Sequence, residues 1–511
     1  MRCLRLPEGE TPVEKHCQET LDPARRRSIA AVTAAIKNDK RTIFGWAMYD
    51  WANSAYSTVI AGAILPAYFA GEVVGDAGWN GRSGQVLWAL GIGLSTLVLF
   101  IAMPVFGAIA DYSAAKRQFM QVFAYGGALF TTLLFFATTG SVVFTLSVFF
   151  LAQLGFVGAN VFYDGFLKDI TTEDTIDKVS SKGYALGYFG GGLWLAIVFG
   201  AILASDNDLA VIRAGIAATG IWWAGFSWFA FTRLRDSGEA ETLPSVVTVS
   251  ATMVRGVRLL VTLLVVGLIV LGWALVADIS EAQFNLILGA IMIGIVVSVI
   301  RVVNASQDRG MTEVTGRFAK IAAVGFSRTF STAARLRQFP QLLLFVVAFM
   351  LYNDGVQTTI NISAVFGTDT LGLTSTDIAL TFLVVQFVAF GGAYFFGWLA
   401  SRIDIRRAIL INLSIWILVA IGAFLLPEGN ALAFQGLGVA IGVILGGIQA
   451  LSRSLYGSMI PEEASAEFYG FYSVFAKFSA IWGPIIFAMV AGLTGSGRAA
   501  ILSIILFFGL G

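Results

Sequence analysis

The chain has 511 residues, of which 57% are hydrophobic and 13% are charged, and its formal net charge is +1. Apolar runs of about 18 residues or more recur along most of it, and each is long enough to cross a bilayer core of about 30 Å. This composition excludes a soluble globular fold and predicts an all-α polytopic membrane protein.

The first 43 residues are polar and lack the apolar core of a signal peptide, so we expect a cytoplasmic tail followed by an uncleaved first span. The single histidine and both cysteines lie in this tail, at His16, Cys3 and Cys17. We therefore expect no disulfide, metal site, cofactor or imidazole relay within the membrane domain.

Fourteen apolar runs follow, in sets of six, two and six. The first set lies at 44 to 69, 85 to 110, 118 to 139, 142 to 165, 184 to 204 and 210 to 231. The two central runs lie at 258 to 277 and 282 to 303. The last set lies at 341 to 366, 376 to 400, 407 to 426, 431 to 455, 468 to 494 and 499 to 511. The final run of about 13 residues is short for a span, which leaves a truncation of the chain open.

Matching residues at nearly constant offsets predict that the two sets of six are duplicated bundles. One face of the first span carries Asp50, Asn53, Ser54 and Ser57, and at an offset of 304 the seventh of the twelve carries Asp354, Gln357, Thr358 and Asn361. Further pairs, at offsets of 290 to 287, are Gly107 with Gly397, Lys116 and Arg117 with Arg406 and Arg407, Asn160 and Asp164 with Gln449 and Arg453, and Gly183 with Gly470. We predict bundles at 44 to 232 and 340 to 511, joined by a cytoplasmic linker at 233 to 339 that contains the extra transmembrane hairpin.

The lysines and arginines predict the orientation. If every run spans and the N-terminus is cytoplasmic, 29 of the 33 cations lie on the cytoplasmic side, three lie outside (Arg82, Arg213 and Arg498) and Lys477 lies within a span. The positive-inside rule favours this arrangement. Because the cations flank spans, we expect no nucleic acid as a partner. We expect the lipid bilayer and a small solute as partners and a monomer as the oligomeric state, and the absence of a targeting segment favours a cell membrane.

The linker segment at 310 to 338 has two interpretations. Arg317, Lys320, Arg328 and Arg335 lie on one helical face, which is typical of an amphipathic helix at the membrane surface. A solvated linker fits the same residues.

Three ionisable residues lie within predicted spans, where a charge costs about 2.5 to 3.5 kcal/mol and needs a polar partner or an aqueous cavity. They are Asp50, Asp354 and Lys477. We interpret them as substrate-binding or coupling residues facing a central cavity, although interhelical hydrogen bonding that only fixes packing remains an alternative for the two aspartates. The other candidates for this cavity are Asn53, Ser57, Gln357, Asn361, Asn160 and Gln449.

Lys477 is expected either to pair with a buried carboxylate or to bind an anionic group of the solute. Any proton coupling is expected to use Asp50, Asp354 or Lys477, because the spans contain no histidine. Facilitated diffusion stays open.

Glycines and charges at the cytoplasmic ends of spans predict a gating network. In the first half it comprises Gly107, Asp111, Lys116 and Arg117, with Asp164 as the expected partner of Arg117. In the second half it comprises Arg406, Arg407 and Arg453. An ordinary charged loop is the alternative.

The sequence offers no nucleophile with a base, no Walker sequence and no metal-ligand pair in a credible context, so we do not expect an enzyme. Besides a secondary transporter of a small polar solute, three classes stay open: a drug or metabolite exporter of the same fold, a passive channel and a membrane scaffold that carries no solute.

Five separated blocks in the two halves resemble the vacuole-effluxer-like family of the major facilitator superfamily, which has bacterial members and includes the autophagy-related amino-acid effluxers of fungal vacuoles. The blocks are YDWANSAYSTVI (49 to 60), YALGYFGGGLW (184 to 194), YNDGVQTTI (352 to 360), IQALSRSLYGSMIPE (448 to 462) and FYGFYSVFAKFSAIWGP (468 to 484). The loop GAIADYSAAKRQ also resembles the superfamily's signature after the second span. The resemblance implies a twelve-helix core, alternating access, and export or release of amino acids or similar solutes.

The chain departs from this pattern at two gate positions. Tyr112 stands where a basic residue usually follows the loop aspartate, so the first gate is expected to use Lys116 and Arg117. Ser401 stands where the second half would repeat Asp111, which argues against two equivalent gates. The extra central hairpin is a third departure.

Overall fold

The computed structural model describes residues 37–236, 247–250, 311–314, 340–462, 464–479 and 482–511, together with isolated positions between 258 and 327. Within these residues, nine helices are long and apolar enough to cross a membrane. The described part of the chain therefore has the polytopic α-helical architecture that its composition predicts.

The described part of the first half contains six helical segments, one at the position of each predicted span. The first begins with α1 (Lys40–Ala55) and continues through the π-helical Tyr56–Ala63, α2 (Ile64–Tyr68) and the π-helical Phe69–Val74. The others are α3 (Gly84–Ser113), α4 (Lys116–Leu133, extended by a 3₁₀ turn to Phe136), α5 (Val142–Ile170), α6 (Ile176–Ala204) and α7 (Leu209–Phe231). The span predicted to begin at 184 begins at Ile176, because hydropathy marks the part within hydrocarbon and the helix extends beyond it.

A side-chain cap fixes the start of α1. The carboxylate of Asp39 accepts hydrogen bonds from the backbone N–H and the hydroxyl of Thr42, both at 2.8 Å. These bonds hold the pKa of Asp39 below its usual value. The chain therefore enters the first span at a defined residue.

The second half contains the matching set. It comprises α8 (Pro340–Val365, followed by the π-helical Phe366–Thr370), α9 (Ser375–Ile403), α10 (Ile405–Phe424), α11 (Ala431–Met459), α12 (Ser465–Phe478), α13 (Trp482–Thr494), α14 (Gly497–Leu502) and α15 (Ile505–Leu510). The run predicted as a short last span corresponds to α14 and α15.

Within the span predicted at 468 to 494, the structure describes two helices, α12 and α13. Pro484 is the third residue of α13, and proline is tolerated in the first turn of a helix but removes a hydrogen bond in its interior. The carboxylate of Asp354 accepts a hydrogen bond from the N–H of Gly483 at 2.9 Å. Proline and this carboxylate together favour a new helix start.

A short antiparallel ribbon lies in the linker. It pairs β1 (Val247–Ser250) with β2 (Met311–Val314), with Val247 opposite Val314. The first residues of the segment considered as an amphipathic helix are therefore a strand. The predicted hairpin at 258 to 303 lies largely outside the described residues, so the count of 14 spans remains a prediction.

Each half has its own hydrophobic core. The first is built around Trp46, Tyr163 and Trp223, and the second around Tyr352 and Trp416. The halves pack against each other through α3 with α12 and through α6 with α9 and α11. This arrangement leaves a cavity between the two halves.

Candidate functional site

A cavity of about 490 Å³ lies between the halves, and we call it the central cavity. Its volume falls within the usual range for small-molecule sites. Along α11 it extends from Gly438 to Arg453, which is about 22 Å of helix at 1.5 Å per residue. The polar lining from the first half comprises Asp50, Asn53, Ser54, Ser57, Thr58, Asn160, Tyr163, Asp164, Tyr184 and Tyr188. The second half adds Gln357, Thr359, Ser363, Thr381, Gln386, Gln449, Arg453, Tyr472 and Ser473.

Asp50 lies on the buried face of α1. One of its carboxylate oxygens accepts a hydrogen bond from the hydroxyl of Tyr163 at 3.2 Å and lies 3.9 Å from Nη1 of Arg453. A Cβ at Gly187 of α6 would lie 2.7 Å from Oγ of Ser54 and 3.0 Å from Cγ of Asp50. Glycine at 187 therefore lets α6 approach the polar face of α1 closely.

Amides and hydroxyls pair across the cavity wall. Nδ2 of Asn53 donates to Oδ1 of Asn160 at 2.5 Å within the first half. The hydroxyl of Tyr188 donates to Oε1 of Gln449 at 2.5 Å, and this bond joins the two halves. The hydroxyl of Ser57 donates to the carbonyl of Ser54, one turn back, at 2.9 Å.

Arg453 lies at one end of the central cavity, and we call this end the cavity floor. Its side chain is 2% exposed, and Nη1 lies 3.1 Å from the carboxylate of Asp164 on α5. Nε and Nη2 donate to the hydroxyl and the carbonyl of Ser180 on α6, at 3.0 and 2.8 Å. The guanidinium also lies 4.1 Å from the ring centroid of Tyr184. With Asp50 of α1 at 3.9 Å, one side chain of the second half therefore contacts three helices of the first.

Asp354 and Asn361 lie outside the lining of the central cavity. Asp354 is 2% exposed and accepts the N–H of Gly483, with the hydroxyl of Thr358 at 3.4 Å. Asn361 is exposed. Of the polar face predicted on α8, Gln357 lines the cavity.

Lys477 belongs to α12, one residue after Ala476, which lines the central cavity. Its side chain lies outside the described part of the structure. Its pairing with a carboxylate or with a solute therefore remains a prediction.

The end of the bundle beyond Arg453 is held together by a second group of contacts, and we call it the closed end. The carboxylate of Asp111 accepts the N–H groups of Ala466 and Glu467 at 3.3 and 2.9 Å, which caps the first turn of α12. A Cβ at Gly107 would lie 2.4 Å from the carbonyl oxygen of Ala466, so α3 and α12 are in close contact there. This contact joins the first half to the second.

Lys116 is buried within the same group. Its ammonium lies 3.2 Å from Asp111 and 3.0 Å from Asp169, and it donates to the hydroxyl of Ser465 at 2.7 Å. Lys168 also donates to the carbonyl of Ile460 across the halves. The described hydrogen bonds and ion pairs between the halves are thus concentrated at the closed end and the cavity floor.

The expected pairing of Asp164 with Arg117 is wrong, because Asp164 pairs with Arg453. The backbone N–H of Arg117 instead donates to Asp236 at 2.7 Å. Burial raises the pKa of Asp236, and this hydrogen bond opposes the rise. Arg406 and Arg407 are exposed in the first turn of α10.

Several residues of the site were missed in the sequence. Tyr163, Tyr184 and Tyr188 line the cavity, and Ser180 binds Arg453. Tyr184 and Tyr188 are four residues apart and so share a helix face, a signal that was available. Ser180 precedes the predicted span, so hydropathy gave no reason to consider it.

The chain matches the family model described as vacuole effluxer Atg22 like over residues 85–511. An uncharacterized MFS-type transporter, YxiO, of Bacillus subtilis is 29% identical over 466 residues, which cover 91% of this chain and 92% of that protein. Autophagy-related protein 22 of Coccidioides immitis is 22% identical, with 90% of this chain and 83% of that protein covered.

Solved structures share the fold at low sequence identity. A bacterial homologue of the iron transporter ferroportin in an outward-facing state has a TM-score of 0.55 and 12% identity, with 92% of this chain and 97% of that one covered. The proton:xylose symporter XylE has a TM-score of 0.57 and 13% identity, with 92% and 93% covered. The chain has the major facilitator fold, and it belongs to the vacuole effluxer Atg22-like family.

Proposed function

We propose that the chain is a secondary transporter that moves a small polar solute with an amino group, an amino acid or a similar compound, by alternating access. The observation that carries this proposal is the central cavity, which is bounded by the contacts of the closed end and has the carboxylate of Asp50 in its wall. A carboxylate in a water-filled cavity between bundles is a suitable partner for an ammonium group.

The distribution of cations supports an orientation. Lys116, Lys168 and Arg406 lie toward the closed end, which the positive-inside rule assigns to the cytoplasm. In that orientation the N-terminus is cytoplasmic and the cavity belongs to an outward-facing state. We propose the cell membrane as its location.

Transport in this scheme requires the contacts at Arg453 and Asp111 to break while contacts form at the other end. Asp50 is the residue that exchanges a cationic partner during the cycle, either the ammonium of the solute or a proton. Gln357 and Gln449, from the opposite wall, provide neutral hydrogen-bonding groups for the rest of the solute.

One observation favours a second candidate, an exporter of amphipathic metabolites or drugs. The wall from the second half includes the half-buried apolar side chains of Phe382, Val385, Leu437 and Ile441. Transfer of the apolar part of a ligand from water to such a wall is favourable in free energy.

The test is uptake of labelled amino acids and labelled organic amines into proteoliposomes, with and without an imposed proton gradient. We expect flux with the wild type, loss of flux with Asp50→Asn, and unchanged flux with Asp206→Asn. Asp206 is an exposed carboxylate with a φ of 54°, a conformation that asparagine adopts readily, so this control removes a charge outside the cavity. Flux of neither amino acids nor amines would rule out the proposal and favour a scaffold.

A further inference from the structure

The charges in the cavity wall do not balance. Among the described lining residues, the acidic and basic side chains are Asp50, Asp164 and Arg453. Two carboxylates and one guanidinium leave a formal charge of −1 when all three are ionised. A buried net charge is costly unless a counter-charge accompanies it.

The guanidinium of Arg453 is already committed to the floor. It makes its 3.1 Å contact with Asp164 and two hydrogen bonds with Ser180, and it packs against the ring of Tyr184. Its distance to Asp50 is longer, at 3.9 Å. Releasing it toward a solute would break contacts that join the halves.

Asp50 is therefore the carboxylate with room for another cation. Its carboxylate accepts a hydrogen bond from the neutral hydroxyl of Tyr163, at 3.2 Å. Asn53, three residues along the same face, is paired with Asn160. A cationic group beside Asp50 would neutralise the wall without disturbing the Arg453 contacts.

The cavity wall formed by the second half determines whether the rest of the ligand is polar or apolar. Six half-buried side chains of the second half supply aliphatic and aromatic surface: Ile360, Ile362, Phe382, Val385, Leu437 and Ile441. A compound with one cationic end and an apolar body would be complementary to the carboxylate of Asp50 and to this surface.

From this arrangement we infer that the central cavity selects organic monocations, primary amines with an apolar body and no carboxylate, over zwitterionic amino acids. The inference rests on the proposed function and narrows its substrate class. A monocation brings the described acidic and basic groups of the wall to neutrality, whereas a zwitterion adds one charge of each sign and leaves their net charge at −1. The carboxylate of a zwitterion would also lie in a wall whose described cation is already paired.

Three compounds of one shape test the inference by binding. Phenethylamine is phenylalanine without its carboxylate, and 3-phenylpropionate is phenylalanine without its amine. Purified full-length protein is titrated with each compound by calorimetry in detergent. We expect phenethylamine to bind about tenfold or more tightly than phenylalanine, and 3-phenylpropionate to bind most weakly. Tighter binding of phenylalanine, equal binding of the two, or binding of neither overturns the inference.

Variants identify the residue responsible. In Asp50→Asn the preference for phenethylamine should disappear, while the matched control Asp206→Asn should retain it. Lys477→Ala addresses the cation whose side chain is not described. If Lys477 instead binds the carboxylate of a ligand, the wild type should bind phenylalanine more tightly than phenethylamine, and Lys477→Ala should lose that preference. This result would overturn the inference.

Flux distinguishes this inference from the transport proposal. Counterflow of labelled phenethylamine and labelled phenylalanine is measured in proteoliposomes. Amine-selective binding without flux of either compound rejects transport and leaves the selectivity standing. Flux that is faster for phenylalanine than for phenethylamine retains transport and rejects the selectivity.

Discussion

The guanidinium of Arg453 on α11 lies 3.1 Å from the carboxylate of Asp164 on α5, so an ion pair beneath the central cavity joins the two halves. The side chains of Arg453 and Asp164 are 2% and 13% exposed. Removing one partner of a buried pair costs about 3 to 5 kcal/mol. Alternating access requires this pair to separate, so the pair stabilises the state that is closed at this end.

We expect Asp164→Asn to reduce the population of the state in which the cavity is open at the opposite end. The reporter is a cysteine at Ser57, which lines the cavity, in a background with Cys3 and Cys17 replaced by serine. Labelling by a membrane-impermeant maleimide should slow severalfold relative to the same background with Asp164. Asp206→Asn is the control, and an unchanged labelling rate in Asp164→Asn would contradict this role.

The closed end can be tested through packing rather than charge. A Cβ at Gly107 would lie 2.4 Å from the carbonyl oxygen of Ala466, whereas a Cβ at Gly126 meets nothing within 4 Å. Overpacking of this kind typically costs about 1 to 3 kcal/mol. We therefore expect Gly107→Ala to slow labelling at position 57 and Gly126→Ala to leave it unchanged. Equal rates in the two variants would show that the contact between α3 and α12 does not determine the conformational state.

Much of the fold follows from local sequence. The apolar runs predict the spans, and the polar face of α1 predicts that Asp50 and Asn53 point toward the cavity, as they do. Hydropathy cannot predict the break between α12 and α13, because both sides of it are apolar. The signal there is Pro484, which becomes informative together with the carboxylate that caps the new helix.

The partners within the site could not be read from the sequence. The sequence predicts that Asp164 pairs with Arg117, whereas in the described structure it pairs with Arg453, 289 residues away along the chain. The repeat aligned Asp164 with Arg453 as equivalent positions in the two halves. It did not reveal that equivalent helices meet at the interface and bring these two side chains into contact. Pairing between halves depends on tertiary packing, which no offset encodes.

Asp354 matches Asp50 by offset, but its environment predicts a structural role. Its carboxylate accepts the N–H of Gly483 at the start of α13. Loss of a helix cap costs about 0.5 to 2 kcal/mol, and the amide oxygen of asparagine accepts the same bond. We expect Asp354→Ala to lower the thermal unfolding midpoint in detergent and Asp354→Asn to stay closer to the wild type. Transport lost in Asp354→Asn at unchanged stability would instead place this carboxylate in coupling.

Lys116 offers the clearest test of charge balance at the closed end. Its ammonium lies within 3.2 Å of both Asp111 and Asp169, and all three side chains are buried. Replacing it with methionine keeps an unbranched apolar stem and leaves two carboxylates close together without their cation, which should cost about 3 to 5 kcal/mol. We expect Lys116→Met to lower the midpoint of thermal unfolding. The unfolding is measured by tryptophan fluorescence.

The double variant Lys116→Met with Asp169→Asn should recover part of that loss, because it removes one of the two facing carboxylates. A structural role for the lysine stem alone predicts no recovery, since the second substitution restores no packing. Additive effects of the two substitutions would therefore contradict electrostatic coupling between Lys116 and Asp169.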